Sequence, residues 1–291
     1  MCIRDSAYSF PYTALENNPI YWRRASGTLQ RLFHARIRRA RSWAALPKER
    51  DLSRDKASFV PITGEVDAGQ EVQDLDELMA APRRFLLSQS SAAQLDLPDD
   101  SIDAIVTDPP YFDSIQYSDL SAFFRVWLRQ FLPQAADWEF ALHESAVDPQ
   151  NEDGDNHYAE MISQIFAECY RVLCKKDGRL IFTYHHWNPE GWAALTNGLK
   201  AAGFTLLNFV VVHSENPISV HIAGMKALTH DAILVFRPAG MPKDRSWQRP
   251  SRINTNSSAQ FCSDCSVLLG WMLDSHLTTA EISALWQSEL A

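Results

Sequence analysis

The sequence lacks several features that would place it in a familiar class of protein. No run of its 291 residues approaches the roughly 18 consecutive apolar residues that a membrane-spanning helix requires. No charged stretch followed by an apolar run opens the chain, as it would in a secretory signal peptide. The cysteines form no regular disulfide framework; they are Cys2, Cys169, Cys174, Cys262 and Cys265. These absences predict a protein of the reducing cytoplasm that does not contact a membrane.

Closely spaced glycines are also missing. No two of the eleven glycines lie nearer to each other than Gly64 and Gly69, and no Gly-Lys loop that could cradle a phosphate occurs. There is no serine elbow of a hydrolase and no internal repeat. Cys262 and Cys265 form a single CxxC pair, but zinc needs about four ligands and only His276 lies nearby in the sequence. We therefore predict no metal site.

Charge is distributed unevenly along the chain. The net charge of −9 does not favour binding to nucleic acid, yet residues 23–54 carry ten basic residues against two acidic ones. Apolar residues recur at three- and four-residue spacing within residues 19–46, which predicts a basic amphipathic helix packed on a core. The helix face either contacts phosphates or is merely solvated. The candidate phosphate contacts are Arg31, Arg38, Arg39 and Arg41.

The most informative stretch begins with a short β-branched run at residues 102–107, which predicts a buried strand. Asp108-Pro109-Pro110-Tyr111 follows it. Two prolines fix φ and remove two backbone donors, so the loop is stiff, and it lies at the carboxyl end of a strand, where open α/β sheets bind ligands. A carboxylate and a proline carbonyl can accept both hydrogens of an exocyclic amine while a tyrosine ring stacks on the base. A plain tight turn after a core strand is the alternative.

The remaining chain alternates between strand and helix patterns. We predict strands at residues 84–88, 179–184, 204–212 and 231–237, and helices at 74–80, 155–173, 189–202, 266–273 and 278–290. Asp155 is the expected cap of the long helix, and Gly203 the expected end of the next one. The last two strands are expected to pair antiparallel. This alternation predicts an α/β fold.

Asp108-Pro109-Pro110-Tyr111 after an apolar strand resembles motif IV of the amino-methyltransferases. These enzymes use S-adenosyl-L-methionine to methylate the N6 of adenine or the N4 of cytosine in DNA. The longer run from Asp108 to Ser121 resembles adenine-specific DNA methylases of the DUF1156 type. The resemblance implies a Rossmann-like class I methyltransferase core with Asp108, Pro109, Pro110 and Tyr111 as catalytic residues. Aspartate at the first motif position favours adenine over cytosine.

The same resemblance implies further site residues. Phe112 and Tyr117 would line the pocket of the target base, and His185 and His186 would form a rim of the active cleft, although hydrogen bonding within a loop or helix cap is the alternative for the histidines. Two short runs, Ser90-Ser91-Ala92 and Leu97-Pro98-Asp99, resemble the family stretch that meets the cofactor, with Ser91 in place of the expected acid. The implied cofactor contacts are Ser90, Ser91, Ala92 and Asp108. A plain strand-loop-strand connection is the alternative there.

The family's Gly-rich turn, F-x-G-x-G after the first strand, has no counterpart in the sequence. The resemblance therefore places strands three to seven within the chain and strands one and two upstream of residue 1. We divide the chain into a basic helical N-terminal segment (1–60), a catalytic core (61–240) and a C-terminal loop with helices (241–291). Transfer of methyl to adenine N6 of a base flipped from DNA is the main hypothesis. The alternatives are an RNA or other amino-group methyltransferase, an inactive nucleic-acid-binding fragment, and an unrelated α/β domain with a chance Pro-Pro turn.

Overall fold

The structure, a computed structural model, divides the chain into two compact units, Cys2–Gln89 and Ser90–Ala291. It describes residues 33–51, 53–54, 58–62, 69–112, 121, 125–126, 128–129, 131, 145–147, 153–214, 228–240 and 246–290. No helix within these ranges is long and apolar enough to cross a membrane. The domain boundaries expected after residues 60 and 240 stay a prediction.

The first unit contains short elements. They are a π-helical turn at Phe33–Ile37, α1 (Arg38–Ala45), β1 (Lys48–Arg50), β2 (Phe59–Pro61), β3 (Gln70–Val72), α2 (Leu75–Ala80) and β4 (Arg84–Leu86). β1 pairs antiparallel with β2, and β3 pairs parallel with β4. Asp74 caps α2 by accepting a 2.8 Å hydrogen bond from the Glu77 amide.

The prediction that the basic helix packs on a core was wrong for the part that the structure describes. No described residue of α1 is buried. The physical reason lies in its sequence, because four of the eight residues are arginine or serine and only Trp43 is large and apolar. Trp43 itself is 50% exposed.

The second unit is built on a four-stranded sheet, which confirms the predicted mixed α/β class. Its strands are β5 (Ala104–Thr107), β6 (Arg179–Tyr184), β7 (Phe204–His213) and β8 (His230–Pro238). The order is β5-β6-β8-β7. β5 and β6 run parallel, while β8 runs antiparallel to both β6 and β7, as expected for the last two strands. The carboxyl ends of β5 and β6 and the beginning of β8 therefore share one edge.

Within the described residues, this unit also contains the helices α3 (Gly154–Val172), α4 (Pro189–Ala202), α5 (Ser258–Asp274) and α6 (Thr279–Leu290). α3 packs against α4, and α5 packs against β7 and β8. In the core, Trp192 and Trp286 are fully buried and stack with their ring centroids 5.2 Å apart. Aromatic rings of this size contribute much of the buried apolar area of the unit.

Two helix starts differ from the prediction. α3 begins one residue before the expected cap, so Asp155 lies in its first turn. α5 begins at Ser258 instead of residue 266, because the Ser257 side chain accepts a hydrogen bond from the Gln260 amide and starts the helix earlier. The CxxC pair consequently lies on the buried face of α5, where burial raises the pKa of the Cys262 thiol to about 12.

The strand before Asp108 was predicted to be buried, and this was wrong. β5 spans only Ala104–Thr107, and Val106 is 75% exposed. The reason is that β5 is an edge strand, since β6 alone pairs with it among the described residues. Ile102 forms an isolated bridge to Leu173 instead. The predicted strand at residues 84–88 also lies outside this sheet, because β4 pairs with β3 in the first unit.

Candidate active site

The loop from Asp108 to Tyr111, which we call the acceptor corner, follows directly on β5. Thr107 pairs with Phe182 in the parallel register of β5 and β6, so the corner lies level with the last residues of β6. Asp108 is exposed, whereas Pro109, Pro110 and Tyr111 are partly buried. A carboxylate is thereby presented to solvent by a loop whose other members are packed against the protein.

Two hydroxyl groups bind the same oxygen of Asp108. The Tyr111 hydroxyl donates to Oδ1 at 3.1 Å, and the Thr183 hydroxyl donates to Oδ1 as well. The Tyr111 hydroxyl also donates to the Thr183 oxygen at 2.8 Å, so its single proton is shared between that oxygen and Oδ1. Burial raises the pKa of Tyr111 well above its ordinary value, so its phenol remains a neutral donor over the physiological range. The orientation of the Asp108 carboxylate is set by these contacts.

The ring of Tyr111 is held by two aromatic neighbours. It makes edge contacts with Tyr184, at a centroid distance of 5.2 Å, and with His185, at 5.0 Å. Contacts of this geometry are favourable for aromatic pairs. The ring position is therefore fixed by β6 and by the residue that follows it.

The second proline of the corner is fixed through its carbonyl. The buried Tyr158 of α3 donates a 2.9 Å hydrogen bond to the Pro110 carbonyl oxygen, and burial raises the pKa of Tyr158 to about 12. Its ring packs at 90° against Phe112. No described residue donates to the Pro109 carbonyl, which leaves that oxygen as a second acceptor beside Asp108.

Phe112, which follows the acceptor corner directly, has a strained backbone conformation. Its φ is +31°, in a region that residues with a Cβ rarely adopt, and it is 4% exposed. Tyr158 and His186 hold it by edge contacts. Phe112 also borders a cavity of about 680 Å³ between α3, α4 and α6. Strain of this kind persists only where packing imposes it.

The two predicted histidines have different environments. His185 is hydrogen bonded through Nδ1 to the Asp231 carboxylate, which lies opposite it where the antiparallel pairing of β6 and β8 ends. His186 is 9% exposed, and its Nδ1 accepts a 2.9 Å hydrogen bond from the Asn188 amide before α4. The alternative expectation, hydrogen bonding within a loop or helix cap, therefore applies to His186, whereas His185 lies beside Tyr111.

The predicted cofactor residues form a turn that is hydrogen bonded internally. The Ser91 carbonyl accepts from the Gln94 amide at 3.0 Å, and its hydroxyl accepts from the Ala93 amide at 3.3 Å. Ser90 and Ser91 are exposed and Ala92 is also exposed. No hydrogen bond or ion pair joins these three to Asp108 within the described ranges.

The loop after this turn is anchored to α3. The Arg171 guanidinium donates to the carbonyl oxygens of Leu95 at 3.0 Å and Leu97 at 2.9 Å. It also donates to Glu168, which holds the pKa of that carboxyl at about 2. Glu168 in turn accepts a 2.7 Å hydrogen bond from the Leu95 amide.

Tyr117 and Arg31 lie outside the described residues. Arg38, Arg39 and Arg41 are exposed on α1.

Sequence reasoning missed three residues that contact or support the corner: Thr183, Asp231 and Tyr158. Thr183 and Asp231 could have been found from strand pairing, because both lie at the sheet edge where Asp108 emerges. Tyr158 belongs to the apolar face predicted for α3, and nothing in the sequence distinguishes its hydroxyl from those of other core tyrosines.

Comparison with known proteins identifies a family whose model matches this chain. The model of the DNA methylase family matches residues 102–286 of the chain. No curated protein matches it. Among solved structures, a proposed DNA modification methylase from Thermus thermophilus is similar at 18% sequence identity, over 53% of this chain and 52% of that protein, with a TM-score of 0.28. The chain therefore spans about half the length of that structure.

Proposed function

The chain belongs to the DNA methylase family, and from that premise we propose that it methylates the N6 amine of adenine in DNA with S-adenosyl-L-methionine as the methyl donor. The family comprises methylases of adenine N6 and of cytosine N4. Aspartate at position 108 favours adenine, and the run to Ser121 supports assignment to the DUF1156-type adenine methylases. The observation that carries the proposal is the exposed Asp108 carboxylate, fixed by Tyr111 and Thr183 at the carboxyl edge of β5.

The acceptor corner has two oxygens suited to a primary amine. One hydrogen of the amine is donated to Asp108 and the other to the Pro109 carbonyl. With both hydrogens bound in this way, the nitrogen lone pair turns out of conjugation with the ring and becomes nucleophilic. Pro110 keeps the geometry because Tyr158 binds its carbonyl. Such positioning lowers the barrier mainly by removing orientational freedom before the reaction.

Tyr111 supplies the flat surface next to these acceptors. Its ring is held by Tyr184 and His185, and we assign to it the stacking contact with the target base. A base paired within duplex DNA cannot reach such a site, so the nucleotide must be extruded from the helix. Phe112 and Tyr117 are assigned to the wall of the base pocket, with His185 at the rim.

The described residues fit the base side of the reaction but not the whole of S-adenosyl-L-methionine. When bound, S-adenosyl-L-methionine would supply an electrophilic methyl group attached to its sulfonium sulfur. A Gly-rich turn for its methionine end is absent from the sequence, and Ser91 uses both its hydroxyl and its carbonyl within its own turn. Contacts from Ser90, Ser91, Ala92 and Asp108 to the cofactor remain a proposal. The sheet order β5-β6-β8-β7 supports a Rossmann-like methyltransferase core.

Exposed arginines on α1 provide the proposed contact with DNA. Arg38, Arg39 and Arg41 lie in a segment whose local charge is opposite to that of the whole chain. Binding through phosphates weakens as the salt concentration rises, because the release of counterions from DNA then gains less entropy. If these three residues bind phosphates, alanine substitution of all three should weaken DNA binding and reduce the slope of log affinity against log salt by roughly two to three.

The identity of the methylated base tests the proposal. DNA, RNA and a protein mixture are each incubated with the chain and isotopically labelled S-adenosyl-L-methionine, and the digested products are identified by mass spectrometry. The expected product is labelled N6-methyladenine from DNA. Label in N4-methylcytosine would overturn the choice of base, and label only in RNA or protein would overturn the choice of substrate.

An inactive nucleic-acid-binding fragment is the second candidate. The absence of a Gly-rich turn from the sequence favours it, together with the exposed arginines of α1. It predicts DNA binding by the wild-type chain without any transfer of label. In that case Asp108→Ala would bind DNA as tightly as the wild type.

A further inference from the structure

The Asp108 carboxylate is hydrogen bonded on one oxygen. Oδ1 accepts from both Tyr111, at 3.1 Å, and Thr183, whereas no described residue donates to Oδ2. The two hydroxyls are 2.8 Å apart, so they form a triangle with Oδ1. A carboxylate that is bound in this way cannot rotate freely, and it presents Oδ2 in one direction.

Strand register explains why Thr183 reaches this position. β6 alternates between buried and partly buried side chains, with Phe182 and Tyr184 in the core and Thr183 on the opposite face. Because Thr107 pairs with Phe182, Thr183 lies one residue further along, level with Asp108. Thr183 belongs to β6, which pairs on both sides with neighbouring strands, whereas Asp108 belongs to a loop that leaves β5, which pairs only with β6 among the described strands. The strand thus anchors the loop.

We propose that Thr183 is a positioning residue, which acts with the Tyr111 hydroxyl to fix Oδ1 of Asp108 so that Oδ2, and not Oδ1, accepts one hydrogen of the target amine. This inference rests on the proposed methyl transfer. Tyr111 then has two tasks, since its ring lies next to the base and its hydroxyl orients the acid. Hydrogen bonds to charged groups are stronger than neutral ones, so each hydroxyl is expected to matter for orientation.

Threonine-to-valine substitution tests the role of the hydroxyl with little change of shape. Thr183→Val should lower kcat for methyl transfer to DNA about 10- to 100-fold, the loss expected for a hydrogen bond to a charged group, with a change in KM below about threefold. Thr183→Ser keeps the hydroxyl and should restore kcat to within about threefold of the wild type. A matched control is Thr205→Val, because Thr205 also donates to an aspartate, Asp274, at 3.0 Å. It should lower the melting temperature yet leave kcat within about twofold.

A double substitution separates positioning from a structural effect. Tyr111→Phe and Thr183→Val remove two donors to one oxygen, so their effects on kcat should not multiply. Independent effects on kcat, or Thr183→Val with wild-type kcat, would overturn the inference.

A crystal structure of Thr183→Val decides the same question without an activity assay. The carboxylate of Asp108 is expected to rotate so that its 3.1 Å contact with Tyr111 is lost. An unmoved carboxylate would overturn the positioning role even if methyl transfer were observed. A wild-type chain that transfers no methyl would overturn the proposed function, while the rotation of Asp108 in the variant would still support the role of Thr183 in orienting the acid.

Discussion

Gly191, in the first turn of α4, is packed so tightly against the residues that flank the acceptor corner that a single methyl group should disturb them. A Cβ at this position would lie 2.7 Å from the Tyr184 hydroxyl, 3.1 Å from Cβ of Phe112 and 3.4 Å from Cγ of His186. Distances below 3.0 Å require a neighbour to move. Tyr184 is fully buried and packs against Tyr111, so its displacement is transmitted to the ring beside Asp108.

Gly191→Ala should therefore destabilise the protein despite the helix preference of alanine. Overpacking of a close-packed site costs about 1–3 kcal/mol, whereas replacing glycine by alanine inside a helix gains at most about 1 kcal/mol. The expected net loss is about 1–2 kcal/mol, or a melting temperature lower by roughly 2–8 °C. Gly198→Ala in the same helix is the control, because its nearest contacts are 3.2 Å, to Phe166 and Ser163.

Thermal unfolding followed by circular dichroism measures the difference between the two variants. Gly198→Ala should lie near the wild type, and Gly191→Ala clearly below it. Methyl transfer should fall in Gly191→Ala and remain in Gly198→Ala. A Gly191→Ala protein as stable and as active as the wild type would refute the packing argument.

Two further variants test contacts around the site. The Arg171 guanidinium lowers the pKa of Glu168 from an ordinary 4.5 to about 2. The stabilisation from this contact is therefore present above about pH 4.5 and is lost as the pH falls through 2. The free energy of unfolding in urea should differ less between pH 7 and pH 3 in Glu168→Gln than in the wild type, and an equal difference would contradict this. Tyr158→Phe leaves the Pro110 carbonyl without its 2.9 Å partner and should cost about 1–3 kcal/mol in urea unfolding at pH 7, whereas a loss near zero would show that water replaces the hydroxyl.

Elements with strong local signals were predictable from the sequence. α4 spans the predicted residues 189–202, because Asn188 caps it, Pro189 occupies its first position and Gly203 ends it with φ of +93°. The cap residue, the fixed φ of proline and the left-handed glycine each act within a few residues of the helix. Such signals need no knowledge of the rest of the fold.

Burial and long-range contacts were harder to predict from the sequence. The apolar run before Asp108 predicted a buried strand, but the exposure of Val106 depends on whether another strand pairs with β5, which no local pattern encodes. The acceptor corner was predictable from its prolines and acid. The threonine that fixes Asp108 comes from a strand about 75 residues away, and only the register of β5 with β6 brings them together.

The central claim is tested most directly by the rate of methyl transfer to DNA when Asp108 is replaced by alanine. Asp177→Ala serves as the control, because Asp177 lies in the turn before β6, at the end of the strand opposite to the corner. The account predicts that Asp108→Ala lowers the rate by at least about a hundredfold and that Asp177→Ala leaves it unchanged. Methyl transfer by Asp108→Ala at the wild-type rate would contradict it.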